Sequence, residues 1–96
     1  AGIRGSIFDG VSQTWLVDRE IEFDDAQPGD LLSVLPITPQ VGGISTKGLE
    51  YPLHGADLAF GPALGISNVF VDRHASVRIE DGLILVVRTK KASLQP

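Results

Sequence analysis

Residues 65–68 read Gly-Ile-Ser-Asn. A hydroxyl and a primary amide stand side by side just after a residue with no Cβ, an arrangement that lets backbone and short polar groups approach a ligand closely. Ser67 and Asn68 are therefore candidate binding residues, since each both donates and accepts hydrogen bonds. The same residues also describe a turn or bulge in which Asn68 bonds its own backbone and adopts a left-handed conformation. Residue types alone leave both readings open.

The other candidates for chemistry are weaker. Asp18, Glu20, Glu22, Asp24, Asp25 and Asp30 form an acidic run, but a calcium loop needs acids at fixed offsets around a sharp glycine turn, and that pattern is absent. Glu20 and Glu22 share one face of a strand, which makes them its solvated side. His54 and His74 each stand beside a turn. Their spacing supports neither a His–carboxylate pair nor a two-histidine metal site, so both are expected to be exposed loop residues. The chain has no nucleophile elbow, no glycine loop ending in Gly-Lys-Ser/Thr and no HExxH. Thr46-Lys47-Gly48 looks phosphate-like, but no helical pattern follows to lend its N-terminus. No metal site and no catalytic residue is expected in this chain.

What must position Ser67 and Asn68 is a set of short strands. Turn signals recur at Asp9-Gly10, Pro28-Gly29-Asp30, Gly42-Gly43, His54-Gly55, Gly61-Pro62 and Asp81-Gly82, with β-rich runs between them, as in a sandwich or barrel. Gly2–Asp9 and Gln13–Val17 read as a hairpin across Gly10. Glu20–Phe23 alternates polar and apolar, and Leu31–Pro36 reads as a central strand. Gly42–Lys47, Leu58–Phe60, Ser67–Val71, Ala75–Ile79 and Leu83–Thr89 supply the rest. Ala75–Val87 reads as a further hairpin, with Val77 and Ile79 inward and a turn at Glu80-Asp81-Gly82. Its second arm is apolar on both faces, so a second sheet, loops or an interface must cover it. Pro62 argues against a helix over Asp57–Leu64, and Ala92–Pro96 reads as a frayed tail. The expected fold class is all-β, a single β-sandwich domain of about eight to ten strands.

Ninety-six residues with 43% hydrophobic content suffice for one core. With one Trp, one Tyr and four Phe, that core must be built from Val, Ile and Leu, which favours strands. A net charge of −4, without a concentrated basic face, makes a poor nucleic-acid partner. No apolar run is long enough to cross a bilayer as a helix. The absence of cysteine excludes disulfides and thiolate metal sites and is compatible with a cytoplasmic location. The absence of methionine, in a chain whose strand pattern starts almost at once, favours a domain excised from a longer protein.

Four blocks occur in order: Thr46-Lys47-Gly48-Leu49-Glu50-Tyr51-Pro52-Leu53, Leu58-Ala59-Phe60-Gly61, Gly65-Ile66-Ser67-Asn68 and Glu80-Asp81-Gly82-Leu83-Ile84-Leu85-Val86. Together with Pro28–Pro36 upstream, this set resembles the C-terminal, thiamine-binding domain of thiamine pyrophosphokinase. The resemblance implies a jelly-roll-like sandwich from a two-domain homodimer that transfers pyrophosphate from ATP to thiamine. It places Mg²⁺ and ATP on an N-terminal α/β domain, whose acidic motif is missing here, so the domain alone is expected to be inactive and to carry no cofactor. It implies that Ser67 and Asn68 hydrogen-bond the aminopyrimidine of thiamine, at a pocket on the dimer interface. Val69 departs from the family pattern, which often has an acid there, so no charged contact to the ligand is implied beside Asn68. The expected partners are thiamine, the protein's own N-terminal domain and a second copy, with Leu83–Val87 and Ile66–Phe70 as the contributing strands. Two other classes compete: a stand-alone β-sandwich interaction module serving subunit assembly, and a small cupin-like metal enzyme, which two histidines support poorly.

Overall fold

The computed structural model describes residues 2–10, 12–59 and 66–90, and every strand in them is antiparallel. One sheet has five strands in the order β1 (Ile3–Phe8), β2 (Ser12–Val17), β9 (Ile84–Thr89), β4 (Leu31–Pro36) and β7 (Ile66–Val69). The other has four: β3 (Glu20–Phe23), β8 (Ala75–Arg78), β5 (Gln40–Lys47) and β6 (Ala56–Ala59). No helix occurs among the described residues, so none there could cross a membrane. The chain folds as an all-β sandwich.

Period-two alternation decides which side chains enter the core. Val17, Leu32, Val34, Ile84 and Val86 face inward from the five-stranded sheet. Ile21, Phe23, Val41, Ile44, Val77 and Ile79 meet them from the four-stranded one. Each fully buried aliphatic side chain contributes about 1.5–3 kcal/mol relative to exposure. The expectation of a Val/Ile/Leu core holds. Its aromatic part is Phe23, in edge contact with Trp15 at 5.3 Å and Phe70 at 5.2 Å.

The first hairpin stands as expected, with Phe8 opposite Gln13. The second does not. Ala75–Arg78 pairs with β3 and β5, whereas Ile84–Thr89 pairs with β2 and β4, so Glu80-Asp81-Gly82 carries the chain from one sheet to the other. Gly82 has φ +100°, and a Cβ there would press on the Gln40 carbonyl at 2.7 Å and Thr38 Oγ1 at 2.8 Å. The turn is tight because it tucks under the start of β5, not because it joins paired strands. The inward alternation of Val77 and Ile79 is as expected. The apolar second arm is resolved as one face on the core and one face outside it.

At one end of the sandwich Arg88 continues the inward row of Ile84 and Val86 and is only 7% exposed. Its guanidinium lies 5.9 Å from the Phe23 ring centre and 5.7 Å from that of Phe70. It donates to the Asp25 carbonyl at 3.1 Å and Asp25 Oδ1 at 3.2 Å, and stands 3.6 Å from the buried Asp30 carboxylate. The acidic run is therefore split. Glu20 and Glu22 lie on the solvated side of β3, as expected, but Asp30 is buried and anchors the loop entering β4. The readings of Phe60–Gly65 and Ala92–Pro96 lie outside the described residues.

Candidate functional site

Ser67 and Asn68 lie on β7, beside β4, in register with Ser33 and Leu32. Because a strand turns successive side chains to opposite faces, the two candidates separate. Ser67 is exposed on the outside of the five-stranded sheet, next to half-buried Ser33. Asn68 points inward and is 4% exposed.

The Asn68 amide is already engaged. Its Oδ1 accepts from the Tyr51 N–H at 3.0 Å and from the Val69 N–H at 2.9 Å, and its Nδ2 donates to the Tyr51 carbonyl at 2.7 Å. Two N–H groups converge on one side-chain atom, which fixes that atom as the oxygen. One N–H of the amide remains for any further partner. Asn68 does bond its own local backbone, but from within a strand: no non-glycine residue among those described has positive φ.

Residues 48–51 run antiparallel along the free side of β7. The Val71 N–H donates to the Gly48 carbonyl at 3.0 Å, Leu49 bridges Phe70, and the Glu50 N–H donates to the Val69 carbonyl at 2.9 Å. One step on, the Asn68 side chain replaces the backbone ladder and holds both polar groups of Tyr51. The block from Thr46 to Leu53 is explained piece by piece. Thr46 Oγ1 accepts from the Leu53 N–H at 2.9 Å, and the Thr46 N–H donates back to the Leu53 carbonyl. Gly48 has φ +74° and packs so closely on the His74 carbonyl and Ala75 that a Cβ would collide with both. Leu49 and Leu53 reach the core, while the Tyr51 residue between them is 64% exposed.

The two outer faces differ sharply in charge. On the five-stranded sheet, β2, β9, β4 and β7 place Leu16, Leu31, Leu35, Leu85, Val69 and Val87 outward. Between them stand only the hydroxyls of Ser12, Thr14, Ser33, Ser67 and Thr89, with no charged side chain in those rows. The other sheet turns Glu20, Glu22, Lys47 and Arg78 to solvent. Those residues line an open groove of about 770 Å³ with Glu80, His54 and His74. Both histidines are exposed, as expected. Among the described residues, no three His, Cys, Asp or Glu side chains gather as a metal ion would require.

Ser33 and Ser67 form a pair of neighbouring hydroxyls on the outer side of the sheet, in rows of β2, β9, β4 and β7 that carry no charged side chain. The sequence reading did not pair Ser33 with Ser67, nor Tyr51 with Asn68. The proline after Tyr51 and the alternation of β4 were the signals that could have found them.

The sequence model of a family described as thiamin pyrophosphokinase, vitamin B1 binding domain, matches residues 18–84. No curated protein sequence matches the chain. Among solved structures, the thiamin pyrophosphokinase from Geobacillus thermodenitrificans superposes with a TM-score of 0.80 at 21% identity, over 94% of this chain and 42% of that one. The thiamine pyrophosphokinase from Bacillus subtilis gives 0.77 at 17% identity, over 88% and 40%. A thiamin pyrophosphokinase family protein from Enterococcus faecalis gives 0.69 at 18%, over 88% and 39%. The chain thus spans about two fifths of the length of the structures it matches.

Proposed function

Because this chain belongs to the thiamin pyrophosphokinase vitamin B1 binding domain family, we propose that it forms the substrate-binding and dimerisation part of an enzyme that transfers pyrophosphate from ATP to thiamine. The observation that carries the site is the position of Ser67. Its hydroxyl faces out of the sheet beside Ser33, among outward rows of β2, β9, β4 and β7 that carry no charged side chain. A neutral aminopyrimidine with ring nitrogens and an amino group suits such hydroxyls, which donate or accept as required. Asn68 faces the opposite side of β7 and, in this reading, keeps the strand and the neighbouring segment at Tyr51 in place behind Ser67.

The same face supports the homodimer in this reading. Half-buried Leu16, Leu31, Leu35 and Leu85 on one uncharged surface form the kind of patch that a subunit interface covers. A stable interface buries more than about 1,000 Å² in total. Thiamine would then lie at the rim of that interface, with the protein's own N-terminal domain closing the pocket. This reading assigns Mg²⁺ and ATP to the N-terminal domain, and no step of the transfer to residues of this chain. The isolated domain is inactive in this reading, and the reaction cytoplasmic.

In the complete enzyme, Ser67→Ala should raise the thiamine KM several-fold and leave that for ATP unchanged. Asn68→Ala should raise it roughly tenfold to a hundredfold, the range for a lost buried hydrogen bond. Wild-type thiamine kinetics in both folded variants would return Ser67 and Asn68 to a structural role, and a complete protein without thiamine turnover would leave a stand-alone interaction module as the better reading.

A further inference from the structure

The two edges of the five-stranded sheet are finished differently. Along β7 the chain covers itself, with residues 48–51 running beside the strand. Among the described residues β1 pairs with β2 alone, and all six of its residues are exposed. A strand paired on one side points alternate N–H and C=O groups at its open edge, and natural sheets blunt such edges with charges and bulges. The first half of β1 is blunted in this way: Arg4 pairs with Asp18 at 3.1 Å, and the register is irregular between Ile3 and Gly5. The second half is not. Residues 5–8 are Gly-Ser-Ile-Phe, in unbroken register with Leu16 to Gln13 of β2, with Ile7 72% and Phe8 59% exposed. Ile7 and Phe8 turn to opposite faces of the sheet, so the edge and both faces are open at one place.

From this we infer that, in the complete protein, a segment of the N-terminal part of the same polypeptide adds to the sheet as a strand along residues 5–8. The inference rests on the two-domain reading above and deepens it, naming the surface on which the second domain is held. Size decides the occupant. A stable contact between separate molecules takes about 20–30 residues a side, and four residues supply a small part of that. A tethered segment needs far less, because its effective concentration reaches roughly the millimolar range. The chain covers 42%, 40% and 39% of the structures it matches, and the remaining length is the source of the segment in this reading. β1 also precedes residues 18–84, the part that the family model matches. Main-chain hydrogen bonds supply the pairing, and Ile7 and Phe8 the apolar contact on either face. The outward row of Ile7 runs through Thr14, Val87 and Ser33 to Ser67. The second domain is thereby fixed about 19 Å from Ser67, four strand spacings away.

The test is amide hydrogen exchange in the complete protein, read residue by residue by ¹⁵N NMR without thiamine. Gly5, Ser6, Ile7 and Phe8 should all exchange roughly tenfold or more slower than exposed loops, including the alternate N–H groups that β2 leaves open. Cross-strand NOEs from residues 5–8 should lead to residues that precede this chain. Ile7→Lys should return the alternate groups to loop rates and leave Ile84 and Val86 slow, which shows that the sandwich stays folded. Fast exchange at alternate positions of residues 5–8 in the wild-type protein would overturn the inference, and so would NOEs to a segment of this chain itself. Protection that is lost on dilution also overturns it and assigns the edge to a second copy. None of these outcomes depends on thiamine turnover, so the thiamine reading stands or falls separately. A complete protein without an N-terminal domain overturns the inference together with the two-domain reading.

Discussion

Replacing Asn68 by Ala strands two backbone N–H groups and one carbonyl at a position 4% exposed. A buried polar group left without its partner costs about 1–3 kcal/mol, so Asn68→Ala should lower the urea midpoint by an amount equivalent to about 2 kcal/mol with an unchanged m-value. Ser67→Ala, on an exposed hydroxyl, should stay within about 0.5 kcal/mol. Arg88→Ala is expected to be worse than either. It removes the cation from between Phe23 and Phe70 and leaves the Asp30 carboxylate buried without it, a loss of about 3–5 kcal/mol, readable in the same denaturation series. The sequence singled out Ser67 and Asn68 but read them as one motif. In a strand, adjacent letters belong to opposite faces, so one became surface and the other a clamp on a backbone 17 residues away. Nothing local to Asn68 encodes that partner. Nothing local to Arg88 encodes its burial either, which exists only once Phe23 of β3 and Phe70, just after β7, converge on it.

Strands were far easier to read than their pairings. Period-two alternation and turn residues located nine strands among the described residues close to where composition placed them, because both signals are local. The connection at Glu80-Asp81-Gly82 carries the residues of a hairpin turn, yet the same glycine conformation serves a crossover between sheets. Most connections in this sandwich change sheet, and only β1–β2 and β5–β6 join neighbours. Alternation cannot reveal this, since it specifies which face of a strand is buried and not which strand lies alongside. Stability should follow the pairings. β9 lies between β2 and β4 with alternate residues fully buried, whereas β1 is an edge strand with all six residues exposed. Amide hydrogen exchange should therefore be slowest at Ile84 and Val86 and fastest, among strands of that sheet, along Ile3–Phe8. Protection of β1 equal to that of β9 would mean that something pairs with its open edge in solution.

At the scale of the molecule, the two outer faces are built for different surroundings. Glu20, Glu22, Lys47 and Arg78 keep the four-stranded face in water, where isolated charges cost nothing. The outward rows of β2, β9, β4 and β7 offer leucines, valines and hydroxyls, and an uncharged, half-buried sheet surface is stable in water chiefly when another surface covers it. Leu85 stands on its central strand, in register with Leu16 on one side and Leu35 on the other. A lysine there meets no opposite charge in those rows, and its side chain can reach solvent only while the face is open. Leu85→Lys should thus leave the monomer folded, with its β-type circular dichroism intact, and lose little stability. Against a second copy it would place two like charges at the centre of a desolvated contact, which is worth several kcal/mol of repulsion. Sedimentation velocity at micromolar concentration should then show the parent chain as a dimer and the variant as a monomer. A parent chain that sediments as a monomer would instead assign this face to the N-terminal domain, and the same substitution would then reduce the thiamine affinity of the complete enzyme without altering its subunit count.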